Sequence, residues 1–382
     1  MSSFLEKIKN KINNSATSWK VRFQDARFSG VSRASASKEI LVIKIDSIGD
    51  YILFRNFLKS IKESKKFKNY RITLLGNVWY KEFAEAFDRD VVDEFIWVDL
   101  HQLKKISTFN SLAKKFHASG FEYVVSPSYS PAIEDVRLLY LCGARNKVFH
   151  KGNDLNVKAC LREKYTSDAY AIETGHRLDF EFYRYRDFFQ KFLNEKPRVT
   201  DSRIAIPISD SKTVLICPGA NSLLRKWPAP MFAELIDQIH DAYAGYSFFI
   251  VGSSSDWETA DQIINKCISK NISNQCGKQN LVDLTKLVAS CGLFISNDTG
   301  PYHIAMALKK KAVCISNGNN YQRFTPYPPE LDRQSVTVLS DKVETLMMDA
   351  ASIAISQSHL SQEKMSDIPV EKVFKAVKKL LP

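Results

Sequence analysis

From residue 40 onward the chain alternates short apolar runs with longer stretches in which apolar residues recur every three or four positions. Residues 40–45, ILVIKI, read as a strand covered on both faces. Leu53, Phe57, Leu58 and Ile61 then fall on one helical stripe. The pattern predicts further strands at 71–75 (ended by Gly76), 95–98 and 123–125, with helical stretches around 79–87 and 109–118. Alternation of this kind predicts a mostly parallel sheet with helices on both sides.

Residues 195–212, EKPRVTDSRIAIPISDSK, interrupt the rhythm with two prolines and mixed charge, and read as the connection between two domains. The alternation then restarts, with strands at 214–217, 247–251, 293–296 and 312–316. Helices are predicted at 230–239 and over Leu281, Leu284, Leu287, Val288 and Cys291. The tail from Val370 to Leu381 predicts a closing helix. The expected organisation is an arm at 1–37, one α/β domain at 38–200, a second at 201–365 and the closing helix at 366–382. Neither α/β half contains GxGxxG, and GxxxxGK[ST] is missing, so a nicotinamide dehydrogenase and a P-loop enzyme both lose their main support.

Length and charge narrow the picture further. A chain of 382 residues favours two domains over one core. No apolar run reaches the roughly 18–20 residues that cross a bilayer. The N-terminus, MSSFLEKIKNKINNSATSWK, lacks the pattern of a secretory signal. The seven cysteines are scattered without a CxxC pair, which fits reduced thiols packed as small hydrophobes. Together these features predict a cytoplasmic protein. The formal net charge of +12 calls for an acidic partner. No Lys/Arg block with interleaved aromatics suggests nucleic acid, which leaves phosphorylated small molecules and an anionic membrane face. The arm carries Lys7, Lys9, Lys11, Lys20 and Arg22, beside Phe4, Leu5, Ile8 and Ile12 at helical spacing. It reads either as a peripheral helix on anionic lipid at the inner membrane face or as a solvated segment.

In open α/β sheets, ligands bind beyond the carboxyl ends of the strands, and three loops there carry candidate chemistry. The first holds Asp46, Ser47, Gly49 and Asp50. Asp50 at a strand-to-helix turn could accept a proton from an attacking hydroxyl, help worth about 10²–10⁴-fold. It could equally cap the helix, and Asp46 fits a capping or loop-fixing role as well. The second loop, CPGANSLLRKWPAPMF at 217–232, offers Gly219, Ser222 and the paired cations Arg225 and Lys226, suited to a diphosphate. The alternative is that both cations are surface charges and Trp227 is core. The third, SNDTGPYHIAMAL at 296–308, places Asp298, Thr299 and Gly300 at a helix start, with Pro301 at the first helical position. Backbone N–H groups there attract an anion, while Asp298 suits sugar hydroxyls or, alternatively, caps the helix. No His/Asp/Glu cluster has metal-ligand spacing, so a leaving diphosphate would rely on these cations and donors.

The stretches ILVIKIDSIGD, PGANSLLRKWP and LVDLTKLVASCGLFISNDTGPYHIAMAL, in that order over residues 38–330, resemble the ADP-heptose:lipopolysaccharide heptosyltransferases of glycosyltransferase family 9. The resemblance implies a GT-B fold, with two Rossmann-like domains facing across a cleft, inversion at the anomeric carbon and no obligatory metal or other cofactor. It places the general base on Asp50 and the donor diphosphate against Arg225, with Lys226 beside it. It places the nucleotide sugar on Asp298, Thr299 and Gly300. Two stretches depart from the family pattern. The helix start reads YILFRNFL, and the loop after the last core strand reads SNGNNYQRFTPY, with Gly318 kept and a proline lost. His303 matches a frequent family histidine and reads as structural.

The expectation is therefore an inverting glycosyltransferase moving a heptose or related sugar from an ADP-activated donor. Its acceptor would be a lipopolysaccharide or another surface glycan. Two alternatives share the architecture: a sugar-nucleotide epimerase, which would release free sugar, and a catalytically silent paralogue that only binds the nucleotide sugar.

Overall fold

The structure is a computed structural model that describes residues 37–175, 180–332, 334–358, 361 and 363–382. Residues 1–36 of the basic arm lie outside the described residues. Two six-stranded sheets, every pairing in them parallel, organise the chain. The strands are β1 (Ser37–Lys44), β2 (Arg71–Asn77), β3 (Glu94–Val98), β4 (Phe121–Ser126), β5 (Asn146–His150), β6 (Tyr170–Ile172), β7 (Thr213–Cys217), β8 (Ser247–Ile250), β9 (Ile272–Asn274), β10 (Leu293–Asn297), β11 (Ala312–Ile315) and β12 (Ser335–Val338). The first sheet runs β3-β2-β1-β4-β5-β6 and the second β12-β11-β10-β7-β8-β9. Counted from its own first strand, each is the 3-2-1-4-5-6 order of a Rossmann-like doubly wound sheet. Strand order therefore reverses between β1 and β4, and again between β7 and β10.

The chain packs into two compact units, and the split does not follow the halves of the sequence. Of the described residues, one unit holds 37–45, together with Asn69–Val78 and Asp93–Ile172, and contains the first sheet. Its central strand β1 buries Ile40, Leu41, Val42 and Ile43 completely, as a parallel strand covered on both faces must. The other unit holds Asp46–Lys68, Trp79–Val92 and Glu173–Pro382. The helices Ile48–Phe54, Asn56–Glu63 and Lys81–Phe87 thus belong with the second sheet, although they follow strands of the first in sequence.

Aromatic packing explains this grouping. On the helix Glu181–Leu193, Phe189 stacks on Phe57 with ring centres 5.3 Å apart and planes 8° from parallel. Tyr185 meets Phe54 edge-on at 5.7 Å, and Phe192 stacks on Phe67 at 5.0 Å. Such pairs contribute about 0.5–1.5 kcal/mol each beyond the area they bury. The segment 195–212 forms no helix or strand, but it is laid along the second unit by backbone bonds. Ile204 N donates to Ala307 O, Ser209 N to Ala289 O and Ser211 N to Ser290 O.

Several boundaries differ from the pattern-based expectation. Strand β2 runs through Gly76 to Asn77, because Gly76 keeps register with Lys44 of β1. Strands β5, β6, β9 and β12 are additional. Three of them, β6, β9 and β12, lie at or next to sheet edges, are short and mix polar with apolar residues. The core of the second sheet is continuous from Val214 and Ile216 through Trp227 and Ile295 to Val373 and Val377 of the helix Val370–Leu380. Ile295, on β10 between two paired strands, is fully buried there. Ile295→Ala should therefore lower unfolding stability by about 2–5 kcal/mol. A reduced urea midpoint at unchanged m-value would check it.

Candidate functional site

The loops after β7 and β10 sit where strand order reverses in the second sheet, the place such sheets build ligand sites. A cavity of about 360 Å³ opens there within the second unit. Among its lining residues are Ser47, Gly49, Asp50, Arg225, Asp298, Thr299 and Gly300. The structure thus brings one or more expected residues from each of the three loops to one space.

Asp50 is the third residue of the helix Ile48–Phe54. The N-cap position itself belongs to Ser47, three residues before Asp50. The Ser47 hydroxyl donates to Asp50 Oδ2 at 2.5 Å, instead of capping the backbone. A carboxylate in the first helical turn is also favoured by the N-terminal dipole. Asp46 is half-buried one residue before the cap and does not line the cavity.

The helix Gly300–Ala307 approaches from the other side. Gly300 takes its first position and Pro301 the second, one residue later than the sequence pattern suggests. Thr299 stands at the cap with no side-chain bond to the backbone, which leaves the first-turn amides without a side-chain acceptor. Close approach of the two helix starts explains both glycines. A Cβ at Gly49 would lie 2.6 Å from His303 Cδ2, and one at Gly300 would lie 3.0 Å from Ile48 Cβ. His303 is buried and its Nδ1 bonds the Tyr327 hydroxyl at 2.8 Å. Burial pulls its imidazole down to about 3, so it is neutral at physiological pH.

Arg225 carries the site's cation. Its Nη1 donates to the Asp298 carbonyl at 3.3 Å, while its Nε is buried with no hydrogen-bond partner. Among the described residues it forms no salt bridge, so the guanidinium holds unused donor capacity. Burial pushes the Asp298 carboxyl up to about 6, and Arg225 pulls in the opposite direction. Lys226 turns elsewhere: its Nζ reaches Asp256 Oδ1 at 3.3 Å, and it does not line the cavity. The neighbouring loop is filled by the same carboxylate, since Gly219 packs against Asp256 and Ser253 N donates to Asp256 Oδ2 at 3.0 Å. Ser222 caps the short turn Leu223–Arg225 by accepting from Leu224 N. Gly318 lies outside the cavity at φ +79°, where a side chain would also meet Val343. Among the described residues no group of three or more His, Cys, Asp or Glu is arranged to hold a metal ion.

Sequence reasoning passed over the residues that fix the Arg225 loop. Asn297, the last residue of β10, donates from Nδ2 to Pro218 O at 2.7 Å and accepts at Oδ1 from Trp227 N at 3.2 Å. Asn317 donates to Leu224 O at 3.0 Å. Trp227, fully buried, donates from its indole to Ile368 O at 3.0 Å. Asn221, Trp79, Asn320 and Phe324 also line the cavity. A usable signal was present: an asparagine directly after a buried strand, beside the DTG turn, needs backbone partners once buried.

Solved structures show this architecture. A glycosyl transferase family 9 structure from Veillonella parvula DSM 2008 aligns at TM-score 0.65 and 20% identity, over 90% of this chain and 97% of that one. E. coli ADP-heptose lps heptosyltransferase II aligns at TM-score 0.63 and 18% identity, over 90% and 98%. The fold class is therefore two-sheet α/β of the GT-B type. In sequence, the model of glycosyltransferase family 9 (heptosyltransferase) matches residues 167–345. Lipooligosaccharide heptosyltransferase 2 of Campylobacter jejuni is 22% identical over 349 residues, spanning 87% of this chain and 96% of that protein. The chain is thus similar to glycosyltransferase family 9 over residues 167–345.

The buried Asp298 yields a stability prediction. Its carboxyl titrates higher in the folded state than in the unfolded chain, so the fold binds the extra proton between about pH 4 and 6. Stability is accordingly lost as pH rises through that window, by up to about 3 kcal/mol. Asp298→Asn should therefore raise Tm at pH 7.5 and leave it nearly unchanged at pH 4, as thermal unfolding of the ligand-free protein at both pH values would show.

Proposed function

We propose that this glycosyltransferase is a heptosyltransferase of lipopolysaccharide or lipooligosaccharide assembly that inverts the anomeric centre of an ADP-activated heptose or related sugar. The observation that carries the reading is the meeting of Asp50, Arg225 and the start of the helix Gly300–Ala307 on one cavity. The sugar and acceptor class are supported by the names of the relatives. Asp50 takes the proton of an acceptor hydroxyl as that oxygen bonds to the anomeric carbon. The bond from that carbon to the diphosphate oxygen breaks, and the nucleoside diphosphate leaves with the electron pair. Arg225 supplies the unused donors that meet its growing charge, helped by the amides of Thr299 and Gly300. Such charge stabilisation needs no metal ion.

Asp298 holds sugar hydroxyls, accepting from them as a carboxylate at physiological pH. Gly219, Ser222, Lys226 and Gly318 shape the loops that hold the donor. Asp46, Ser47 and Gly49 support the turn that presents Asp50. Among the described residues no helix is long and apolar enough to cross a membrane. The enzyme would meet its glycolipid acceptor at the cytosolic membrane face, where the basic arm has anionic lipid to contact.

Asp50→Asn should retain ADP binding and lose turnover by about 10²–10⁴-fold. ADP release from ADP-heptose with a heptose-deficient core oligosaccharide reads the second quantity, and wild-type turnover would remove Asp50 from the role. In a thermal-shift comparison of ADP, GDP, UDP and CDP, ADP should stand out. At 100 times its Kd it should add about 2.7 kcal/mol. Equal shifts for all four would refute the adenine assignment.

A further inference from the structure

One wall of the cavity is an indole set beside the Asp50 helix. Trp79 lines the cavity together with Asp50, and 43% of its surface stays exposed. It belongs to the short turn Val78–Tyr80, where the following residue, Tyr80, is completely buried. Tyr80 stacks on Tyr51, the residue after Asp50, with ring centres 4.0 Å apart and planes 9° from parallel. Tyr51 is itself fully buried: its ring meets Phe83 edge-on at 6.4 Å, and its hydroxyl donates to Asp88 Oδ2 at 2.7 Å. Arg55, one turn further along the chain, grips the same carboxylate from Nη2 to Oδ1 at 2.6 Å and from Nε to Oδ2 at 3.1 Å. The turn that carries Trp79 is thus fastened to the helix that carries Asp50.

Other rings near the site have different tasks. Trp227 buries its indole in the core, and Phe324, half-buried on the same cavity, already meets the His303 ring at 6.0 Å and the Arg323 guanidinium at 4.8 Å. An indole left partly open on a cavity wall offers apolar area that a ligand can cover. The axial C–H groups of a pyranose present a matching flat face, while its hydroxyls project from the rim toward polar partners. Ligand sites commonly combine an aromatic wall with a few placed polar groups in this way. The cation Arg225 and the start of the helix Gly300–Ala307 come from other loops, so the indole stands with the group that would take the acceptor's proton, not with those that would receive the diphosphate. We propose that Trp79 is the binding platform for the acceptor: one pyranose ring lies with its C–H face on the indole and offers a hydroxyl to Asp50. The inference rests on the transferase reading given above and names the chemistry by which that site would hold its acceptor.

The test is steady-state transfer from ADP-heptose to a heptose-deficient core oligosaccharide, paired with equilibrium binding of that oligosaccharide to the ADP-loaded protein. Trp79→Ala should raise both the acceptor KM and the oligosaccharide Kd by about 10–100-fold, the effect of uncovering one indole face. At saturating acceptor, kcat should stay within about threefold, because a contact of equal strength in ground and transition states moves KM alone. Trp79→Phe keeps a flat ring and should return most of the loss, whereas Trp79→Leu, apolar without a ring, should return little. KM for ADP-heptose, and ADP affinity read by thermal shift, should stay within about twofold in every variant. A merely structural role would lower Tm and kcat together and would not split KM from kcat. Should W79A not fold, W79F and W79L still decide the matter. An unchanged acceptor KM in folded W79A, a loss that falls on the donor KM instead, or W79L performing as well as W79F would overturn the proposal. Wild-type protein that transfers no sugar to this acceptor would remove the transferase reading and the platform together. Wild-type transfer with an unaltered W79A would remove the platform alone.

Discussion

At Gly49 the helix Ile48–Phe54 lies so near the His303 ring that a methyl group would sit 2.6 Å from Cδ2. At Gly300 the partner helix returns the approach, with Ile48 Cβ 3.0 Å from where a side chain would begin. Two helix N-termini are therefore in backbone-level contact, and that contact sets which chemical groups share a space. It puts Asp50, two residues into one helix, on the same cavity as Asp298 and Thr299, immediately before the other. Phe54 keeps the first helix against Tyr185 and Phe189 of the helix Glu181–Leu193, and Phe57 of the next helix stacks on the same Phe189. A larger residue at either glycine would force the two starts apart and with them Asp50 and the Asp298–Thr299 turn.

The groups gathered here are costly to bury. Asp298 has its carboxyl held well above the usual carboxylate range because water has been removed from it. Arg225 keeps a buried Nε without a partner. Neither arrangement helps the fold, and unmet polar capacity in a native interior is where ligand chemistry is expected. By contrast, Lys226 and Asp256 satisfy each other and fill the adjoining loop. The two cations adjacent in sequence have thus been divided between a site and its scaffold.

Much of this was legible in the residues alone. The alternation of apolar runs with helical stripes identified the core strands β1, β2, β7, β10 and β11, because central parallel strands must be apolar on both faces. The three loops were recognisable because each joins such a strand to a helix. The lesser strands escaped notice: β9, Ile-Ser-Asn, is three residues long and only partly buried, so periodicity has nothing to register. Two other things depended on tertiary contact. Local sequence does not say that Lys226 would meet Asp256, thirty residues on, or that Glu181 would meet Arg323. Nor does it say that the helix after β1 packs with the second sheet, since that is decided by distant aromatic partners on the helix Glu181–Leu193.

The stitching of the Arg225 loop has a consequence for the proposed contact with a donor diphosphate. Asn297 holds it at Pro218 and Trp227, and Asn317 holds it at Leu224. A free loop of that length would lose about 1–2 kcal/mol of backbone entropy for each residue frozen on contact. Here that freedom was given up during folding. Ligand affinity can then reflect the guanidinium contact itself, with little subtracted for ordering the chain, and the cation waits at its station before any substrate enters.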